Sequence, residues 1–90
     1  MRTTVHLPQP LRPLAKNRER VRVDVDGETV GDLLVALREK HPDLAAALLD
    51  DQGALRRSVT LYVGDEDARR QGGMQAPLAS DVTVVVPLVL

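Results

Sequence analysis

The segment that most constrains the fold is residues 81–90, which hold the densest run of β-branched residues in the chain. A short apolar run that follows a turn residue, here Asp81, is typical of a strand buried on both faces of a sheet. Such a strand is usually central, so we expect other strands to pair with both of its edges. Pro87 has no N–H group to donate to a neighbouring strand, so the regular strand is predicted to end at about Val86. Residues 87–90 are then expected to leave the sheet as an extended tail.

Two further strands are predicted near the beginning of the sequence. Residues 2–7 alternate between apolar and polar, with Val5 and Leu7 on one face. Residues 21–26 alternate strictly, which is typical of a strand with one solvated face. Residues 9–19 contain prolines and charged residues without a clear period, so they are predicted to form a surface connection between the two strands. The two strands are therefore expected to form a hairpin with a long loop.

A helix is predicted to begin at about Val30, because Thr29 and Asp32 have the spacing of a capping box. Its apolar residues recur at i, i+3, i+4 and i+7 and so share one face, which is expected to pack on the sheet. These residues are Val30, Leu33, Leu34 and Leu37.

A second, shorter helix is predicted after Pro42. Proline disfavours helical geometry in the residue before it, so the first helix should stop at His41. Asp43 can then cap a helix that continues to Leu49. The buried residues of this helix are predicted to be Leu44, Ala47 and Leu48.

The next part of the sequence contains a third strand and a turn. Residues 58–63 alternate, with Val59, Leu61 and Val63 on one face and Thr60 and Tyr62 on the other. Residues 64–67 are predicted to form a turn rich in carboxylates. Residues 68–70 are predicted to form a brief fourth strand before the final one.

Composition limits the chain to one aliphatic core. A chain of 90 residues, 43% of them hydrophobic, is expected to form a single domain over residues 1–90. Tyr62 is its only aromatic residue, so the core must be built from Val, Leu and Ala. The absence of cysteine excludes disulfides and suits a reducing cytoplasm. No signal peptide and no run of ~20 apolar residues is found, so we expect a cytoplasmic protein without membrane association.

Several kinds of function are disfavoured by the residues present. A net charge of −1 and the lack of aromatic stacking residues argue against nucleic acid as a partner. His6 and His41 are far apart in sequence and have no cysteine to join them, so no metal site is predicted. Residues 65–67 lack the alternating ligands of a calcium loop and are expected to form a solvated acidic turn. No catalytic residue is predicted, and the chain is not expected to be an enzyme.

The order strand, strand, helix, short helix, strand, short strand, strand predicts an α+β fold. Its mixed sheet should have four or five strands, with the last strand central and parallel to the first. The main helix and the short helix should cover one face of that sheet. This arrangement is the β-grasp, or ubiquitin-like, fold.

Three segments of the sequence resemble a known family. Residues 23–33, VDVDGETVGDL, resemble the ubiquitin-like sulfur carriers of the thiamine and molybdopterin type (ThiS/MoaD). Residues 59–73, VTLYVGDEDARRQGG, and residues 79–87, ASDVTVVVP, resemble more specifically the branch of that family that carries sulfur for cysteine synthesis. With Leu11-Arg12-Pro13, which also fits that branch, the resemblance covers nearly the whole chain.

The resemblance implies a protein cosubstrate that binds no cofactor itself. Its partners would be an E1-like adenylating enzyme that uses ATP, a sulfur-accepting synthase of the cysteine-synthase or cofactor-synthase kind, and a JAMM-type protease. Members of the family meet the adenylating enzyme through the sheet face that the helix does not cover and through the tail. In this sequence the corresponding partner-binding residues are expected to be Tyr62, Thr83, Val85, Pro87 and Leu88.

The family also has a terminal Gly-Gly whose carboxylate becomes a thiocarboxylate. In this sequence Pro87 is followed by Leu88, Val89 and Leu90, which occupy the positions of the reactive tail. Only a residue without Cβ lets the backbone enter a channel shaped for glycine, so we expect that a polypeptide ending at Leu90 is not converted. Two functions stay open: a sulfur carrier, and a β-grasp interaction or regulatory module that binds the same kinds of partner without reacting.

Overall fold

The structure is a computed structural model that describes residues 1–86. Its five strands are β1 (Arg2–His6), β2 (Arg20–Asp24), β3 (Thr60–Val63), β4 (Glu66–Asp67) and β5 (Asp81–Val85). They lie in the order β2-β1-β5-β3-β4, with β5 parallel to β1 and antiparallel to β3. The predicted central position of the last strand and its parallel pairing with the first are confirmed. The sheet is the mixed sheet of a β-grasp fold.

Helix α1 (Val30–Lys40) begins at the predicted capping box. The hydroxyl of Thr29 accepts a hydrogen bond from the backbone N–H of Asp32 at 3.2 Å. In return the Asp32 carboxylate accepts one from the backbone N–H of Thr29, also at 3.2 Å. Two of the N–H groups that a helix start leaves without partners are satisfied in this way, which explains why α1 starts where it does.

Helix α2 (Pro42–Leu48) follows α1 after a break at one residue. The break falls at His41 as predicted, but His41 and not Asp43 is the residue that precedes the helix. Pro42 takes the first helical position, where its fixed φ is compatible with a helix and its missing N–H costs nothing. Ala45 is buried, whereas Ala47, for which burial was predicted, is only partly buried.

Both helices pack on the same face of the sheet. The core between the helices and the sheet is wholly aliphatic. The sheet contributes side chains that alternate along each strand, and the helices contribute their apolar stripes. The largest fully buried side chains are Leu33, Leu34, Leu37, Leu44, Leu48, Leu61, Val5, Val23, Val30, Val59, Val82 and Val84.

The prediction that the last strand is buried on both faces is wrong. Val82 and Val84 are buried beneath the helices, but Thr83 is exposed and Val85 is 43% exposed. β-branched residues favour strands through local packing, and a run of them does not specify how many faces are covered. Among the described residues, the second face of the sheet has no helix on it.

Two loop predictions are also corrected. Residues 9–19 include a 3-10 helix, Gln9–Ala15, which buries Leu11 and Ala15. The short strand is Glu66–Asp67 and not residues 68–70, which belong to a second 3-10 helix, Ala68–Gln71. The Asp67 carboxylate accepts a hydrogen bond from the Arg69 N–H at 2.9 Å and so starts that helix one residue after the strand ends.

Candidate protein-interaction site

The side chains that point away from the helices form a surface that we call the open face. Because successive residues of a strand point to opposite sides, the open face takes every second residue of each strand. Its residues are Arg2, Thr4, His6, Arg20, Arg22, Asp24, Thr60, Tyr62, Asp67, Asp81, Thr83 and Val85.

One row of the open face crosses all five strands. The strand registers place Arg20 opposite His6, His6 opposite Thr83, Thr83 opposite Tyr62, and Tyr62 opposite Asp67. Neighbouring strands lie about 4.8 Å apart, so this row is about 19 Å long. A hydroxyl and an aromatic ring thus occupy the middle of the face, and charged residues occupy its ends.

Three of the residues predicted to bind a partner come together on this face. Tyr62 and Thr83 are directly opposite each other on β3 and β5, and Val85 lies two residues further along β5, opposite Thr60. Tyr62 is half-buried, so part of its ring can contact a second protein. The other predicted residues, Pro87 and Leu88, lie outside the described residues, as do the tail residues Val89 and Leu90.

Two cross-strand polar contacts lie on the open face, and sequence reasoning missed both. The Nε of Arg2 donates to the Asp24 carboxylate at 3.0 Å, and this hydrogen bond and the charge of Arg2 lower the pKa of Asp24. The His6 Nε2 lies 2.9 Å from the Asp81 carboxylate. The second contact could be inferred only from the parallel pairing of β1 and β5. This pairing brings together His6 and Asp81, which are 75 positions apart in sequence.

A cleft of about 430 Å³ lies at the β4 edge of the open face. It is lined by Tyr62, Asp65, Glu66, Asp67 and Arg70. The carboxylates that the sequence placed in a turn are therefore next to the only aromatic residue of the chain. Charged and amphipathic groups of this kind suit contact with another protein more than chemistry on a small molecule.

Other kinds of site find little support in the part of the chain that the structure describes. Within residues 1–86, no three His, Asp or Glu side chains are close enough to share a metal ion. His6 lies on the open face, whereas His41 lies between the two helices. Neither α1 nor α2 has the length and apolar content that crossing a bilayer requires.

Comparison with known proteins gives several similarities that extend along the whole chain. The family model described as the ThiS family matches residues 5–89. The sulfur carrier protein CysO of Mycobacterium tuberculosis strain H37Rv is 33% identical over 92 residues, which cover 99% of this chain and 97% of that protein.

Two solved structures have the same fold over nearly their full length. The complex of BexX and CysO from Amycolatopsis orientalis contains a chain that matches with a TM-score of 0.82 and 27% identity, covering 97% of both chains. SAMP1 from Haloferax volcanii matches with a TM-score of 0.81 and 30% identity, covering 98% of this chain and 97% of that one. The open face and the strand that leads to the tail thus belong to an architecture shared with these proteins.

Proposed function

The chain belongs to the ThiS family of ubiquitin-like sulfur carriers, and from this we propose that its folded body carries sulfur as a C-terminal thiocarboxylate when the tail ends in Gly-Gly. The observation that supports the proposal is the position of β5. This strand is central, has the open face on one side, and leads at Val85 directly into the tail. A partner that docks on the open face therefore lies beside the point where the tail leaves the sheet.

The chemistry that we propose needs two steps on the terminal carboxylate. A carboxylate oxygen attacks the α-phosphorus of ATP, and pyrophosphate leaves to give an acyl adenylate. A sulfur nucleophile then attacks the acyl carbon, and AMP leaves with the electron pair of the broken C–O bond. ATP and the catalytic groups belong to the adenylating enzyme, so the chain acts as a cosubstrate and not as an enzyme.

We propose a sulfur-accepting synthase as the second partner. The relative CysO forms a complex with BexX, so a carrier of this family can be held by another protein. A cytoplasmic location is part of the proposal, because the partner needs ATP. We also propose that a JAMM-type protease processes the product.

Mass spectrometry of the intact protein tests the proposed chemistry. Three polypeptides are compared: residues 1–90, the same chain extended by Gly-Gly, and the chain extended by Ala-Ala. Each is incubated with the purified adenylating enzyme of the same organism, ATP and sulfide. We expect the mass gain of one oxygen replaced by sulfur in the Gly-Gly form only. A misplacement of ~1 Å at a reacting centre can cost on the order of a hundredfold in rate. We expect a Cβ in the channel of the adenylating enzyme to displace the terminal carboxylate by more than this distance.

The outcomes separate the two functions that the sequence left open. Sulfur on the Gly-Gly form identifies a competent carrier body. Sulfur on the chain that ends at Leu90 would contradict the steric argument. Binding to the adenylating enzyme without sulfur on any form would favour the interaction module over the carrier.

Replacement of Tyr62 by Ala is expected to weaken binding to the adenylating enzyme without unfolding the chain. A half-buried aromatic ring at the middle of an interface is a common source of binding energy, so we expect a loss of about 1–2 kcal/mol, measured by isothermal titration calorimetry. Leu61→Ala on the inner face of the same strand is the control, because Leu61 is 2% exposed. That variant should lose about 2–5 kcal/mol of unfolding free energy. Equal losses of unfolding free energy in the two variants would mean that the Tyr62 ring stabilises the core and does not act mainly in binding.

A further inference from the structure

One edge of the open face is basic. Arg20 and Arg22 lie on the edge strand β2, and both side chains are exposed. No acidic group lies within 4.0 Å of either guanidinium among the described residues. The third arginine of this region, Arg2, is already paired with Asp24. We call Arg20 and Arg22 the basic edge.

The opposite edge is acidic. Asp65, Glu66 and Asp67 line the cleft beside β4, with only the Arg70 guanidinium among them to offset three carboxylates. None of these three carboxylates has an ion-pair partner within 4.0 Å in residues 1–86. We call them the acidic edge. It lies beyond β3 and is separated from the basic edge by the three inner strands.

The two edges are too far apart to neutralise each other. The row from Arg20 to Asp67 is about 19 Å long. The Debye length at physiological ionic strength is about 8 Å, so exposed charges at this distance are screened from each other. The residues between them are uncharged, like Thr83 and Tyr62, or paired, like His6 with Asp81. The two edges therefore do not neutralise each other, and each can attract an opposite charge that a partner brings to it.

We infer that the partner docking on the open face carries carboxylates opposite the basic edge and Lys or Arg opposite the acidic edge. This inference rests on the proposed function and adds to it the chemistry and the direction of docking. A partner with this polarity can bind in one orientation only, because turning it by half a turn sets like charges against each other. The orientation that remains fixes where the Val85 end of β5 lies on the partner.

The size of the face favours an enzyme over a second copy of the chain. The five strands, which are two to five residues long, span an area on the order of 300 Å². A standard interface buries about 800 Å² on each partner, so two open faces would form only a weak dimer. An adenylating enzyme that also encloses the tail gains the missing area.

An exchange of two charges tests the inference. The double variant Arg20→Glu/Asp67→Lys changes the charge at both ends of the row that crosses the sheet. It removes the charge difference between the two edges and leaves the net charge unchanged. The control is Arg38→Glu/Glu39→Lys, which makes the same exchange at two exposed positions of α1, on the other side of the sheet. Binding to the purified adenylating enzyme is measured by calorimetry at low and high salt, and circular dichroism verifies that both variants fold.

We expect the exchange on the open face to weaken binding on the order of tenfold at low salt and less at high salt. The control should bind like the parent. The single variants Arg20→Glu and Asp67→Lys should each give a smaller loss. Equal binding by the parent and the face exchange would overturn the inference.

Two further outcomes keep this inference distinct from the proposed function. If the Gly-Gly form gains no sulfur but the exchange weakens binding, the carrier proposal fails and the polarity stands. If sulfur is gained and the exchange has no effect, the polarity alone fails. A concentration-dependent dimer in sedimentation that Arg20→Glu abolishes would assign the face to a second copy and overturn the inference.

Discussion

Val84→Asp is expected to unfold the protein. Val84 is 2% exposed on the inner face of the central strand, opposite Leu61. A carboxylate at this position would be surrounded by aliphatic side chains, and burial of an unpaired charge costs several kcal/mol, roughly 3–5 or more. Domains of this size have only about 5–15 kcal/mol of stability. We expect circular dichroism to show no cooperative thermal transition, or one lowered by more than about 15 °C.

The control for this prediction is Val85→Asp at the next residue. Val85 is 43% exposed on the open face, so a carboxylate there stays hydrated. The expected change in unfolding free energy is below about 1 kcal/mol and comes from the lower β-propensity of Asp. Similar melting of Val84→Asp and the parent would mean that β5 is not packed beneath the helices.

Gly27→Ala is expected to cost about 2–4 kcal/mol of unfolding free energy. Gly27 has φ +134°, which side-chain-bearing residues rarely adopt, and strain of this kind costs about 1–3 kcal/mol. A Cβ at this position would also collide with the carboxylate of Asp32. That carboxylate caps α1, and the loss of a cap costs about 1 kcal/mol more.

The same carboxylate holds several hydrogen bonds that alanine would disturb. The Thr29 hydroxyl donates to it at 2.9 Å, and the backbone N–H of Glu28 donates at 3.1 Å. These hydrogen bonds lower the pKa of Asp32 below its ordinary value, and the bond from the Thr29 hydroxyl has the largest effect. A displaced carboxylate would lose this shift, which NMR titration of the Asp32 carboxyl can measure.

Gly64→Ala is the matched control for Gly27→Ala. Gly64 also has a positive φ, +62°, but a Cβ there would meet no atom within 4 Å. Only the left-handed backbone is then penalised, by about 1–2 kcal/mol. Urea denaturation of both variants separates strain from collision. Equal losses would show that Asp32 can move aside without consequence for the helix.

The parts of the fold set by local patterns could be predicted from the sequence. The capping residues Thr29 and Asp32 and the apolar stripe of α1 are short-range features, so the helix start needed no tertiary information. Alternation along β3 likewise placed Tyr62 on the face away from the core. The central position of β5 followed from its density of β-branched residues together with the order of the elements.

The features that depend on pairing between distant residues could not be predicted. The bond between His6 and Asp81 requires the register of two parallel strands, which no local pattern specifies. The cleft of the acidic edge requires Glu66 and Asp67 to pair with β3 instead of remaining in a turn. The exposed second face of β5 depends on where the helices lie, and a run of valines is compatible with one covered face or two.

The order of the strands also has a consequence for the time course of folding. β1 is made before β5 during synthesis, and the pairing of these two strands joins residues that are far apart in sequence, with His6 and Asp81 75 positions apart. Pairings between such distant residues form slowly, because the loop between them must close before any contact compensates for the lost entropy. The hairpin of β1 and β2 and the helix α1 can form earlier, but the apolar side chains on their inner faces are not fully covered until β5 leaves the ribosome. We therefore expect ribosome-bound chains that stop before Asp81 to be captured by chaperones, and chains that include β5 to be released from them.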